Sequence, residues 1–355
     1  MNIKCYLAAA LALVVSAVLL SGCARPPVAQ FISIQISSAT WEFRFSGFDP
    51  DGRLEKIEWT FGDVGSAEGT TVQHTYTASD TYTVTAIAWD DDGQSERCSR
   101  EVVAVREILV PAEFPTIQEA IDVAEEGESV LIASGTYNER IHFRGKAITV
   151  RASGSVTIAA PRTADSDSVG PTVSFVSGEG RDSVLEGVTV QGSTFQTAYA
   201  GGCVNIVGSS PTLRDCTFTR GRAQIGGGVY CAESHALLEG CEVSDCQAML
   251  NGGGLYAAGT GRFPEIRGCL IVGNRAEVGG GMYFCATLNC DIDTSACLPA
   301  IDGNDIRNNR ATAAQSSQDT LGGGIHVGSG LGLLVTQANS FSGNYPIDIG
   351  YDAPR

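Results

Sequence analysis

Tyr230, Tyr256, Tyr283 and His326 each stand two places after a Gly-Gly-Gly triplet, with one apolar residue (Val229, Leu255, Met282, Ile325) between. If the apolar residues point inward, strand alternation turns the rings outward. A column of aromatic rings with hydroxyl groups suits sugar rings; the same column can equally be a ladder that stabilises itself across strands. Asn205 holds the equivalent place after Gly201-Gly202-Cys203-Val204. Two carboxylate pairs come next, Asp49 with Asp51 in Asp49-Pro50-Asp51-Gly52, and Asp291 with Asp293 in the segment 285–297. Hard oxygen donors clustered on loops are what Ca²⁺ takes, while Asp in such places also makes side-chain turns. Cys290 and Cys297 flank the second pair and can close a small disulfide loop.

The compartment follows from the first residues. Met1-Asn2-Ile3-Lys4 carries one positive charge, and the apolar run Tyr6 to Leu20 is short for a membrane span but has the length of a signal-peptide core. It ends in Leu20-Ser21-Gly22-Cys23, which resembles the lipobox of bacterial lipoproteins. The resemblance implies a signal peptide over 1–22, lipidation of Cys23 and a linker over 23–27. It also implies a chain held to a membrane by its lipid, outside the cytoplasm, since two or three acyl chains anchor stably. Ala24 rather than Asp after the cysteine points to the outer membrane or cell surface in enterobacterial-type sorting.

Composition agrees. The net charge is −17, Lys and Arg together number 23 without a basic run, and nucleic acid is therefore not an expected partner. The chain has 12 cysteines; in an oxidising compartment they read as disulfides before zinc, because no accompanying His pattern appears. With 43 glycines and no heptads, the chain reads as turn-rich β structure.

Residues 28–106 alternate in short runs, as in Trp41-Glu42-Phe43-Arg44-Phe45, separated by turn signals. Asp49-Pro50-Asp51-Gly52, Trp59-Thr60-Phe61-Gly62-Asp63, His74-Thr75-Tyr76, Tyr82-Thr83-Val84 and Asp90-Asp91-Asp92-Gly93 follow in the order of a PKD domain, which this segment resembles. The likeness implies an immunoglobulin-like β-sandwich, used as a spacer or interaction module, in which some members bind Ca²⁺ near Asp49 and Asp51. Val64 and Asp80 stand where the family has glycine.

From 107 to 355 the pattern changes. Thr116-Ile117-Gln118-Glu119 is a capping box opening a helix near 115–126. Strand-like runs follow, and the opening resembles right-handed parallel β-helix proteins of the pectate-lyase type, where a helix covers the first coil. The Gly-rich starts at Gly201, Gly226, Gly252, Gly279 and Gly322 lie 25, 26, 27 and 43 residues apart. That period is one coil of a parallel β-helix. Equivalent residues must stack, so Asn304, Asn309, Asn339 and Asn344 are expected in amide ladders and Cys216, Cys241 and Cys269 in an inward apolar column. The fold expected is all-β, a sandwich followed by a right-handed parallel β-helix.

No catalytic constellation is legible. Gln318-Asp319-Thr320-Leu321 echoes part of a pectin methylesterase motif without its continuation, and Lys146 is the sole lysine beyond the first domain. The expected role is a surface lipoprotein presenting a polysaccharide- or protein-binding face. A polysaccharide lyase or esterase acting on acidic glycans, or a structural envelope component, are the alternatives.

Overall fold

The computed structural model describes residues 25–161, 170–192, 198–286, 299–313, 321–328, 331, 334–335 and 338–352. The segment 1–24 with Cys23, and the loop carrying Cys290, Asp291, Asp293 and Cys297, lie outside the described residues. The chain forms two units, divided near residue 105.

The first unit is all strand: β1 (Phe31–Gln35), β2 (Thr40–Phe45), β3 (Leu54–Thr60), β4 (Ser66–Glu68), β5 (Thr71–Thr75), β6 (Asp80–Asp90) and β7 (Ser95–Ala104). They make two antiparallel sheets, β1-β2-β5 and β4-β3-β6-β7. Alternation assigns the inner face: Val84, Ala86 and Ala88 of β6 are buried, and Val84 and Ala86 share a core with Phe31, Phe43, Trp59 and Phe61. The indole N–H of Trp59 donates to the Gly69 carbonyl at 2.8 Å, so the buried ring leaves no polar group unpaired. The two departures from the family pattern fall at a bend and at the first residue of β6. Val64 is fully exposed, and the Asp80 carboxylate accepts the Thr81 N–H at 2.7 Å.

The second unit opens with β8 (Glu107–Val110) and the helix α1 (Ile117–Val123). The Thr116 hydroxyl accepts the Glu119 N–H, and the Glu139 carboxylate accepts the N–H groups of Ile117 and Gln118 at 2.9 Å. These acceptors satisfy N–H groups that the first turn leaves without partners. At the other end the Lys146 ammonium donates to the carbonyls of Ile121, Asp122 and Ala124. The lone lysine of this unit is thereby a helix cap.

Beyond the cap every pairing is parallel, one coil on the next. Each regular coil has four short strands, as in Val204–Val207, Thr212–Arg214, Thr217–Thr219 and Arg222–Ile225. Two strands per coil join one 15-stranded sheet (sheet A), the first joins an 8-stranded sheet (sheet B) and the last a 5-stranded sheet (sheet C), among the described residues. The corner within sheet A recurs at Asp215, Gly240, Gly268 and Gly303, all at φ between 51° and 65°, a region that favours Gly and Asp. The Gly triplets have a different cause. A Cβ on Gly228, Gly254 or Gly281 would lie 2.4–2.7 Å from a carbonyl oxygen of the next coil, so these backbones meet without room for a side chain.

The stacks differ from expectation in one respect. Asn304 donates to the Ile266 carbonyl at 2.9 Å and accepts the Cys269 N–H at 2.8 Å, completing an amide ladder with Asn339. Cys216, Cys241 and Cys269 occupy the same position in earlier coils and donate their thiols to Leu185, Leu213 and Leu238. The cysteines are therefore polar rungs of the ladder, not only an apolar column. All eight described cysteines are free, so the disulfide expectation finds no example among the described residues.

Candidate functional site

Strand register in sheet B brings His142, Ser174, Asn205, Tyr230, Tyr256, Tyr283 and His326 into one outward column. Their inward neighbours Val204, Val229, Leu255, Met282 and Ile325 are wholly buried, which fixes the orientation. Tyr230 and Tyr256 stack at 5.5 Å between ring centroids and 6° between planes; Tyr256 and Tyr283 stack at 5.4 Å and 3°. Tyr283 and His326 continue at 5.2 Å and 9°. Parallel rings this close are offset over one another. The column thus presents ring edges and hydroxyls outward, not the open faces that a flat platform would offer.

Burial grades along the column. The tyrosines are half-buried, whereas His326 is 1% exposed and bonds Asp352 through Nε2 at 2.9 Å. His326 accordingly lies under the last strand (Ile347–Tyr351) and not on an open face, a correction to the expected column. The Tyr256 hydroxyl meets the Cys285 thiol at 3.0 Å. Burial pushes Tyr230, Tyr256 and Cys285 up, and Tyr283 up to about 12, with Asp352 adding to the last. These phenols and the thiol stay protonated near neutral pH, suited to hydrogen bonding rather than to proton abstraction.

In the other direction the column continues through Asn205 to the buried Ser174 and to His142. Asn205 Oδ1 is buried and has no hydrogen-bond partner among the described residues, an acceptor in want of a donor. Tyr199, 71% exposed, stands near Tyr230 and shifts it further up. Tyr199 was not singled out from sequence, because no glycine triplet precedes it.

In the first unit, the Asp49 carboxylate accepts the Asp51 N–H within the turn, and the Asp51 carboxylate accepts the backbone N–H of Arg25, far back along the chain. Burial raises the Asp49 carboxyl, and the Asp51 and Asp90 charges raise it further. Asp90 ends β6 on the inner face and is 1% exposed. Its Oδ1 accepts the N–H groups of Asp92 and Gln94, while its buried Oδ2 has no partner among the described residues. No group of three or more His, Cys, Asp or Glu side chains closes around a common point among the described residues.

Comparison with known proteins matches two family models. Residues 24–105 match the PKD domain, and residues 127–296 and 174–352 match the right-handed β-helix region. Among solved structures, the PKD1 domain of Vibrio anguillarum Epp is 25% identical over 23% of this chain and 95% of its own, at a TM-score of 0.22. The family 28 exopolygalacturonase of Yersinia enterocolitica is 12% identical over 93% of this chain and 84% of its own, at a TM-score of 0.24.

Proposed function

Since this chain belongs to the right-handed β-helix family and carries a PKD domain ahead of the helix, we propose that it is a lipid-anchored envelope protein outside the cytoplasm whose β-helix binds glycan. The site is the stretch of the sheet B column at Asn205 and Tyr230, with Tyr199 of sheet C beside it, which together offer an unpaired acceptor, phenol hydroxyls and ring edges. The observation that carries this reading is the buried, partnerless Oδ1 of Asn205 at the head of a stacked tyrosine ladder. A sugar hydroxyl supplies the missing donor, and the ladder holds the phenols in fixed positions. Burial keeps the Tyr230 phenol and the Cys285 thiol protonated and able to donate hydrogen bonds.

A glycan array probed with the chain from Ala24 onward tests it. Reproducible signals that Asn205→Ala and Tyr230→Ala both abolish support the site; a silent array, or signals indifferent to both variants, sinks it.

For the first unit the proposal is Ca²⁺ at the Asp49–Asp51 turn. The Asp51 and Asp90 charges, which add to the burial that raises the Asp49 carboxyl, support it. An ion there would offset the paired carboxylates and fix the turn.

A further inference from the structure

One strand of sheet C departs from its neighbours, and the departure brings two apolar side chains to the surface together. The pairs Ala223 with Ala248 and Ile225 with Asn251 span two steps on one strand and three on the next. The pairs Gln247 with Arg275 and Asn251 with Val278 span four steps against three. The strand Gln247–Asn251 therefore carries one residue more than either neighbour, a β-bulge. Regular alternation would turn only one of Met249 and Leu250 outward. The extra residue leaves both outside, 59% and 45% exposed, while Ala248 stays buried.

Cationic groups flank this apolar knob. Arg222 and Arg275 lie on either side of Gln247 in the register, and Arg310 lies beside Arg275. Their neighbours Ala223, Ala276 and Ala311 are buried, so all three arginines face outward with Met249. Arg222 and Arg275 make no side-chain hydrogen bond or ion pair among the described residues. The Arg310 guanidinium carbon lies 5.7 Å from the ring of the exposed Tyr345. Asp245 and Glu277, the acids nearest along these strands, form no ion pair with the three among the described residues. Sheet A treats its outward arginines differently: Arg214 pairs with Glu186 at 3.2 Å and with Glu239 at 3.3 Å.

We propose that this face of sheet C rests on an anionic lipid bilayer. Met249 and Leu250 enter the headgroup boundary, and Arg222, Arg275 and Arg310 meet lipid phosphates. Arginine carries its charge on an apolar stem, so the stem covers hydrocarbon while the head reaches phosphate. Tyr345 adds a ring with a polar tip, which suits the same boundary. The net charge of −17 opposes this contact little at physiological salt, where charges beyond about 8 Å are screened. The inference rests on the envelope reading above. A chain tethered through Cys23 is already concentrated at the bilayer, so a weak contact suffices to lay this face on it.

Sedimentation of the chain from Ala24 onward, with vesicles of phosphatidylcholine alone or mixed with phosphatidylglycerol, decides the matter. This chain carries no lipid, so the result does not depend on acylation of Cys23. The protein is expected in the pellet with the mixed vesicles and in the supernatant with the neutral ones. Arg222→Gln, Arg275→Gln and Arg310→Gln each weaken binding about fivefold, more at low salt. Leu250→Gln weakens it about threefold at any salt. Excess glycerol phosphate does not displace the protein, which separates a bilayer from free phosphate, and Tyr230→Ala leaves binding unchanged. Equal pelleting with both kinds of vesicle, none with either, or a triple Arg→Gln variant that binds like the wild type overturns the proposal. So do indifference to Leu250→Gln and full displacement by polygalacturonate. The far-ultraviolet spectrum of each variant confirms that it is folded.

Discussion

Asn309 Oδ1 accepts two hydrogen bonds from Asn274, one from the backbone N–H and one from the side-chain amide, both at 3.0 Å. Asn309 then donates to the Ile271 carbonyl at 2.7 Å. One buried amide thus ties three groups on the preceding coil. Asn309→Ala strips the Asn274 N–H and the Ile271 carbonyl of this partner, while the Asn274 amide keeps the Val243 carbonyl, and it is expected to cost about 2–4 kcal/mol. Urea unfolding followed by circular dichroism reads this as a lowered first transition, since a solenoid need not unfold in one step.

The buried thiols set an alkaline limit. Burial raises Cys231 up to about 12 from an ordinary value near 9, and Tyr283 up to about 12 from 10. A group whose folded value is raised holds its proton while the unfolded chain loses it, so stability falls as pH rises through that window. The urea midpoint should be flat from pH 7 to 8.5 and decline between pH 9 and 12. Cys231→Ala should reduce that slope, whatever it costs at neutral pH.

Much of this was legible in the residues. The spacing of the glycine triplets gave the coil, and the Thr116–Glu119 box gave the helix, because both are local rules. Their causes were less visible: the triplets exist because Gly254 and Gly281 meet across coils at backbone distance, which no single coil reveals. Alternation correctly turned Tyr256 outward but said nothing of what lies over His326, which depends on a strand some twenty residues later. The sheet C arginines sit at irregular sequence intervals, and only the register aligns them.

Calcium should act on the first unit. Adding millimolar Ca²⁺ to chelator-treated protein is expected to raise its melting temperature by several degrees, read by the fluorescence of Trp59 and Trp89. Asp49→Asn and Asp51→Asn should each remove the shift. A transition that Ca²⁺ and chelator leave equal would assign these carboxylates to turns alone.

The proposed membrane anchor rests on Cys23. In a bacterial host the full chain should partition into detergent and carry acyl mass on the peptide beginning at Cys23. Cys23→Ala should move it to the aqueous fraction with the N-terminal acyl mass gone. Release of the wild-type chain without lipid would contradict the anchor.

The central claim is that sugar binds at Asn205 and Tyr230, and titration calorimetry with the strongest glycan from the array tests it most directly. The account predicts that Tyr230→Phe, Tyr230→Ala and Asn205→Ala weaken binding in increasing steps, the last two by at least about tenfold. Tyr283→Phe, toward the covered end, should stay within about twofold of the wild type. Equal affinity across all four folded variants would contradict it.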